Sequence, residues 1–237
     1  MTTSLPNTQL AAYRQAREPK HHELRLLELL IQRAPELRCL LDIGCASGAF
    51  IQLIRPRFAA AKFTGIDISA ELIELAKKKF EADPNCSFYV QDALAYTPQN
   101  KYDVIIASGV LSIFEDFEEP LSKWLSWLES NGTLYLFGCF NSRNIDTINR
   151  FRNHYVGGAW EGGLTSYSIT TVGNFLTAKG YSHEFIRFHL PISISEADDP
   201  IRSFTLTTSS GQMMVLNGAN IITELYYLIV HDTKAND

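Results

Sequence analysis

The stretch Leu40-Leu41-Asp42-Ile43-Gly44-Cys45-Ala46-Ser47-Gly48-Ala49-Phe50 constrains this chain more than any other. Its apolar start reads as a short buried strand, and the small residues that follow make a tight turn into a helix beginning near Ala49. In open α/β sheets, the carboxyl end of a strand feeding a helix N-terminus is where nucleotides bind. Small residues there let backbone N–H groups approach a ligand closely.

The departures from the dinucleotide pattern narrow the ligand. Gly44 fills the first glycine place of G-x-G-x-x-G, but Ala46 and Ala49 occupy the second and third, and Gly48 falls between them. A pyrophosphate needs the second place free of a side chain. Asp42, two residues before the turn, would repel a phosphate and suits a ligand bearing an ammonium and a sulfonium. On these residues, Leu-Asp-Ile-Gly-Cys-Ala-Ser-Gly at 41–48 resembles motif I of the class I S-adenosylmethionine-dependent methyltransferases. The resemblance implies that Asp42, Gly44, Cys45, Ala46 and Gly48 hold the methionine part of S-adenosyl-L-methionine, with S-adenosyl-L-homocysteine as product.

Downstream strands extend the pattern. Lys62 to Ser69 reads as a second strand ending in Asp67, about 20 residues beyond the turn, where an acid meets ribose hydroxyls. A carboxylate accepts two hydrogen bonds from a vicinal diol. Ser69 caps the next helix with Glu71 in its first turn, which leaves Asp67 for the ligand and Ile68 for the adenine face. Ser87 to Val90 is a third strand, and the resemblance assigns Asp92 and Ala93 to the adenine edge. Lys101 to Leu111 holds a near-continuous apolar run, as the buried centre of a parallel sheet does. Tyr102-Asp103-Val104-Ile105 and Val110-Leu111 match motif IV, whose exit loop would bring Ser108, Gly109 and Leu111 to the methionine and the acceptor. Many members carry a His-His pair after Val-Leu; Ser112-Ile113 stands here, so that motif transfers no histidine base. Asp103, at the start of its strand, reads as structural.

The remaining elements complete an α/β chain. An amphipathic helix is expected over Pro19 to Arg33 from the spacing of Leu24, Leu27, Leu30 and Ile31, with His21 and His22 at a solvated end. Helices are expected over 49–58, 71–80 and 120–130, the last placing Trp124 and Leu128 on one face, and an Asn131-Gly132 turn leads to a fifth strand over 133–140. Thr170 or Thr171 caps a helix through Lys179, and strands follow over 181–190 and 221–230. The order predicts a doubly wound, seven-stranded, mostly parallel Rossmann-like sheet with an antiparallel edge hairpin. The organisation expected is an N-terminal arm and helix (1–36) and a methyltransferase domain (37–237), with acceptor-side insertions at about 141–165 and 191–220. The first insertion is expected to form a helix over 141–155 and a glycine-rich loop over 156–163. The second forms a small β-hairpin lid from Phe204-Thr205-Leu206-Thr207 and Met213-Met214-Val215-Leu216.

Acceptor selection is expected in those insertions. Tyr155, Trp160 and Glu161 flank a pliant loop, Arg202 enters the second insertion beside Asp198 and Asp199, and Tyr13 and Arg14 lie in an arm that related enzymes fold over the cofactor. His154 is the candidate general base, because imidazole titrates nearest neutrality. No metal-ligand spacing is present. The four cysteines, Cys39, Cys45, Cys86 and Cys139, lack C-x-x-C spacing, and no run reaches the roughly 20 apolar residues of a membrane span; a cytoplasmic location with reduced thiols is expected. A formal charge of -5 over 237 residues gives no basic footprint for nucleic acid.

The function expected is methyl transfer to an oxygen or nitrogen of a small molecule. Asp199-Pro200-Ile201-Arg202 at the second insertion looks like methyltransferases of bacterial glycan or secondary-metabolite clusters. Rival readings are a methyltransferase of RNA or protein, which would commonly carry an Asn/Asp-Pro-Pro-aromatic sequence absent here, and a non-catalytic cofactor-binding protein. The oligomeric state is not expressed in the sequence.

Overall fold

A computed structural model describes residues 18–154, 157–162, 165–197, 201–219 and 221–232. The elements in chain order are α1 (His21–Arg33), β1 (Cys39–Ile43), α2 (Ala49–Ile54), β2 (Lys62–Asp67), α3 (Ala70–Lys79), β3 (Cys86–Val90), β4 (Tyr102–Ser108), α4 (Glu118–Ser126) and β5 (Leu128–Asn141). They continue with β6 (Arg150–Arg152), β7 (Trp160–Gly162), β8 (Tyr167–Ser168), α5 (Ile169–Ala178), β9 (Ser182–Phe188), β10 (Phe204–Thr207), β11 (Met213–Leu216) and β12 (Leu225–His231).

One sheet runs in the order β3-β2-β1-β4-β5-β12-β9, and the two-residue β8 adds to β5. The pairs β3/β2, β2/β1, β1/β4 and β4/β5 are parallel, while β12 runs antiparallel to both β5 and β9. The strand order therefore reverses at β1, and the crevice above β1 and β4 is where such sheets hold ligands. This is the expected doubly wound sheet with its antiparallel edge; β8 makes it eight-stranded rather than seven.

Strands buried on both faces need apolar side chains in both directions, and β4 supplies them: Val104, Ile105, Ile106 and Ala107 are all buried. One face packs Leu121, Trp124, Val172 and Leu176 of α4 and α5 on the sheet. The other packs Leu26, Leu29 and Leu30 of α1 and Ile51 and Ile54 of α2. Each fully buried Leu or Ile contributes about 1.5–3 kcal/mol relative to exposure. The apolar stripe of α1 thus fixes that helix across β5 and β12. His22 does not sit at a solvated end: its ring stacks on Phe137 with centroids 4.4 Å apart, and its carbonyl accepts from the Tyr227 hydroxyl at 2.7 Å.

Local signals set most boundaries. Ser69 caps α3 by accepting from the Leu72 N–H, and Lys77, Lys78 and Lys79 close its last turn. Asp103 ties the start of β4 to that of β1, accepting from the N–H groups of Arg38 and Cys39 at 2.7 Å each. The cap of α5 is Ser168, whose hydroxyl accepts from the Thr170 N–H at 3.1 Å; it replaces the expected Thr170 or Thr171. Leu128 belongs to β5 and not to the preceding helix. Asn131 (φ 64) and Gly132 form an irregularity within that strand, where the register with β4 shifts.

The largest departure lies in the segment expected as a helix over 141–155, where the described residues 141–154 form no α-helix. Asn141 turns its side chain onto the local backbone, accepting from Arg143 N–H, which competes with helical pairing, while Asp146 accepts from the distant Ser168 N–H and ties the segment to β8. Gly157 and Gly158 take positive φ, so the chain reverses and β6 pairs antiparallel with β7. The second insertion does carry the expected hairpin, β10 with β11, in register Phe204 to Leu216.

Candidate active site

The glycine turn after β1 is held from within. The N–H groups of Gly44 and Cys45 both donate to the Ile66 carbonyl, at 2.8 and 3.0 Å, and the Gly48 N–H donates to the Cys45 carbonyl at 2.9 Å. The Ala46 N–H donates to Asp67 Oδ2 at 2.9 Å. Four N–H groups of the turn are thus consumed by protein acceptors. The sequence suggests donors open to a ligand; the fold gives a turn that offers little to a phosphate.

Side chains explain why small residues stand here. Gly44 has φ +72, and a Cβ there would lie 2.6 Å from Val110 Cγ2. Gly48, at φ +70, faces the rings of Phe80 and Phe88 at 3.1 Å. Ala46 takes φ 49 despite its methyl group, a conformation that costs an L-residue about 1–2 kcal/mol. Its hydrogen bond to Asp67 offsets part of that cost.

Carboxylates gather at this rim. Asp67, at the end of β2, accepts from Ala46 N–H through one oxygen and from Ser69 N–H, at 2.9 Å, through the other. Each oxygen keeps acceptor capacity for a further donor. Burial raises the Asp67 carboxyl, opposed by hydrogen bonds from the N–H groups of Ser69, Ala46 and Ile68. Asp42, on β1 opposite Gly65 and Ile106, is buried. Burial pushes its carboxyl up to about 8, with the charges of Asp67 and Glu23 acting in the same direction. A buried carboxyl in that field is stabilised by a cation placed beside it.

Glu23 is the residue that sequence reading missed. It sits on the buried face of α1 and accepts from the Lys20 N–H at 2.8 Å. An acid among the leucines of an amphipathic stripe was the available signal. The adenine side is more open. Ile68, Tyr89 and Val90 are exposed at the ends of β2 and β3. Asp92 Oδ1 accepts from Leu94 N–H at 2.7 Å, and the Ala93 carbonyl accepts from Trp124 Nε1 at 3.2 Å, which fixes the loop below the slot.

On the other side of the turn, Gly109 (φ +74) donates to the Phe137 carbonyl at 2.7 Å, setting the exit of β4. Ser108 ends that strand beside it. The Leu111 side chain is buried in the core, so this residue meets the crevice through its backbone or not at all. The 141–168 segment is fastened to this exit loop by three contacts. Thr165 N–H donates to the Ser112 carbonyl at 3.0 Å, Tyr167 hydroxyl to the Phe114 carbonyl at 2.6 Å, and Arg150 pairs with Glu115. β8 completes the attachment at Phe140 and Asn141 of β5.

Among the described residues, the candidate acceptor residues lie on two segments, the β6–β7 hairpin with its turn and the second insertion. Trp160 and Glu161 are adjacent on β7 and so point to opposite faces of the hairpin. His154 lies exposed at the hairpin's turn, its ring against Gly158. Arg202 is exposed in the second insertion. Tyr13, Arg14, Tyr155, Asp198 and Asp199 lie outside the described residues. A cavity of about 410 Å³ opens between α1 and β9, lined in part by His21, Arg25, His189 and Tyr227. It is at the sheet edge, four strands from β1, and away from the acid-lined turn.

A family model described as a methyltransferase domain matches residues 41–134, the span from β1 through the turn and β4 into β5. Over that span the chain is similar to the methyltransferase-domain family. Malonyl-[acyl-carrier protein] O-methyltransferase 1 of Ilyobacter polytropus is 30% identical over 122 residues, covering 52% of this chain and 45% of that protein. Trans-aconitate 2-methyltransferase of Streptomyces avermitilis is 33% identical over 122 residues, covering 48% of this chain and 45% of its own length. The chain therefore spans less than half the length of these curated relatives. Among solved structures, the S-adenosylmethionine-bound amino pentose methyltransferase CalS10 of Micromonospora echinaspora superposes with a TM-score of 0.60 at 14% identity, covering 98% and 99% of the two chains. That likeness is one of fold.

Proposed function

We propose that this chain binds S-adenosyl-L-methionine and transfers its methyl group to an oxygen or nitrogen of a small-molecule acceptor, leaving S-adenosyl-L-homocysteine. One observation carries the reading: a turn with four of its N–H groups already consumed lies beside Asp42 and Asp67, with the charge of Glu23 also acting on Asp42. Such a site disfavours phosphates and favours a cation. The names of the relatives, a malonyl-[acyl-carrier protein] O-methyltransferase and a trans-aconitate 2-methyltransferase, support methyl transfer.

In this reading Asp67 receives the ribose hydroxyls on its remaining lone pairs, and Ile68, Asp92 and Ala93 border the adenine. Asp42, with Gly44, Cys45, Ala46 and Gly48, encloses the methionine portion, and Ser108, Gly109 and Leu111 shape the passage toward the acceptor. The cofactor supplies the activated methyl group when bound. The protein's own contribution is to hold acceptor and donor in line and to exclude water, since orientation alone lowers such barriers by several kcal/mol. Trp160, Glu161, Tyr155, Arg202, Tyr13 and Arg14 are the acceptor-side candidates, and His154 is the candidate base. A glycan precursor or a secondary metabolite remains the expected class of acceptor.

The test is calorimetric and then chemical. S-adenosylhomocysteine is expected to bind, and NAD is expected not to. Incubation of the protein and S-adenosylmethionine with a panel of small acceptors should release S-adenosylhomocysteine. Binding of NAD in preference to S-adenosylhomocysteine would overturn the proposal.

A further inference from the structure

We propose that Arg152 and Trp160 form a subsite for an anionic group of the methyl acceptor, a carboxylate carried on an apolar or unsaturated body. This deepens, and rests on, the methyl-transfer reading. The β6–β7 hairpin pairs Arg150 with Gly162, Phe151 with Glu161 and Arg152 with Trp160. Because side chains alternate along strands, Arg150, Arg152 and Trp160 share one face, and Phe151 and Glu161 the other.

That first face looks toward the exit of β4. Arg150 makes two bonds to the Glu115 carboxylate, at 2.6 and 2.9 Å, and a Cβ at Gly162 would lie 3.7 Å from the same group. Glu115 neutralises Arg150. Arg152 differs: its guanidinium lies 4.8 Å from the Trp160 ring centroid, and it has no carboxylate partner among the described residues. Stacked on the indole, the guanidinium keeps its N–H edge available, and that fork matches a carboxylate in two parallel hydrogen bonds.

Trp160 is itself out of place on a surface. It is 65% exposed, whereas Trp124 and Trp127 are 0% and 6% exposed. Large aromatic side chains left in water beside a polar group mark contact surfaces for ligands. Ile113 and Ile148, two residues before Glu115 and Arg150 in the chain, are exposed as well. In a chain of formal charge -5, an unneutralised arginine held on an indole beside the β4 exit is a local exception suited to an anion with an apolar body. The carboxylates of malonyl and aconitate groups, named for the two relatives, belong to this class.

The experiment uses tryptophan fluorescence of the full chain, to which the exposed Trp160 gives the ligand-sensitive signal. Trans-aconitate, malonate and octanoate are titrated separately, with trimethyl trans-aconitate as the uncharged counterpart, and the affinity for S-adenosylhomocysteine is measured in parallel. At least one carboxylate is expected to shift the emission saturably, and the ester is not. Arg152→Gln is expected to raise the half-saturating concentration about tenfold or more, Arg152→Lys to restore part of it, and Trp160→Phe to abolish the signal. All three variants should retain affinity for S-adenosylhomocysteine and the circular dichroism of the parent. No response to any of the three carboxylates, or equal titration of the Arg152→Gln variant and the parent, overturns the subsite. Loss of S-adenosylhomocysteine binding by the unaltered protein overturns the methyl-transfer reading instead.

Discussion

The carboxylate of Asp67 accepts the N–H of Ala46 at 2.9 Å, joining the end of β2 to the turn that follows β1. Its second oxygen accepts the Ser69 N–H at the start of α3. One side chain therefore fixes both walls of the crevice and keeps lone pairs for a ligand. Replacing Asp67 with Ala removes the ligand contacts and the strut together. Cofactor binding is expected to weaken by about 2 kcal/mol, the scale of lost charge-assisted hydrogen bonds. Titration calorimetry with S-adenosylhomocysteine measures it; unchanged affinity would remove Asp67 from the ribose site.

Asp42 makes the site sensitive to pH. The unfolded chain loses this proton near 4, while the folded protein holds it up to about 8 because the group is buried near Asp67 and Glu23. Between those values the native state carries the extra proton. The stabilisation is fully present below the unfolded value and is lost as pH rises through the folded one. Thermal melts of the cofactor-free protein should thus fall from pH 5 to pH 8.5, and Asp42→Asn should flatten that profile.

The same proton should leave when a cation binds. A positive ligand beside Asp42 lowers its pKa, so S-adenosylmethionine binding at pH 7 is expected to release protons to the buffer. Calorimetry in buffers of differing ionisation enthalpy reads the number directly. Proton uptake, or none, would place the sulfonium and ammonium away from this acid.

Gly65 makes a purely structural prediction. A Cβ at this position would lie 2.6 Å from Phe88 Cδ1 and 2.7 Å from Cys45 Sγ. Gly65→Ala must displace the ring beneath the turn, and overpacking of this kind costs about 1–3 kcal/mol. Urea denaturation should show a lower midpoint with little change in slope.

Glu115→Gln tests how the first insertion is held. The variant breaks the ion pair with Arg150 but leaves the bonds from the Thr165 N–H and the Tyr167 hydroxyl. Amide exchange should quicken at 150–152 and 160–162 and stay unchanged at 40–48. Affinity for S-adenosylhomocysteine should not move.

The sequence by itself determined the sheet and its rim. Apolar runs such as Val104 to Ala107 have only one way to be buried on both faces, and the glycines at 44 and 48 mark backbone that must pass close to Val110 and Phe88. Those demands are local, or involve neighbours in a fixed strand order, so they survive in a linear reading. Tertiary structure decided what the linear reading could not. Whether 141–154 became helix or hairpin depended on side-chain bonds from Asn141 and Asp146 and on a reversal at Gly157 and Gly158, which a linear reading of the segment does not express. The pairing of Arg152 with Trp160 followed from that register. The approach of Glu23 to Asp42 arose only because the leucines of α1 seat that helix on the sheet, bringing together charges 19 residues apart whose interaction depends on distance in space and not along the chain.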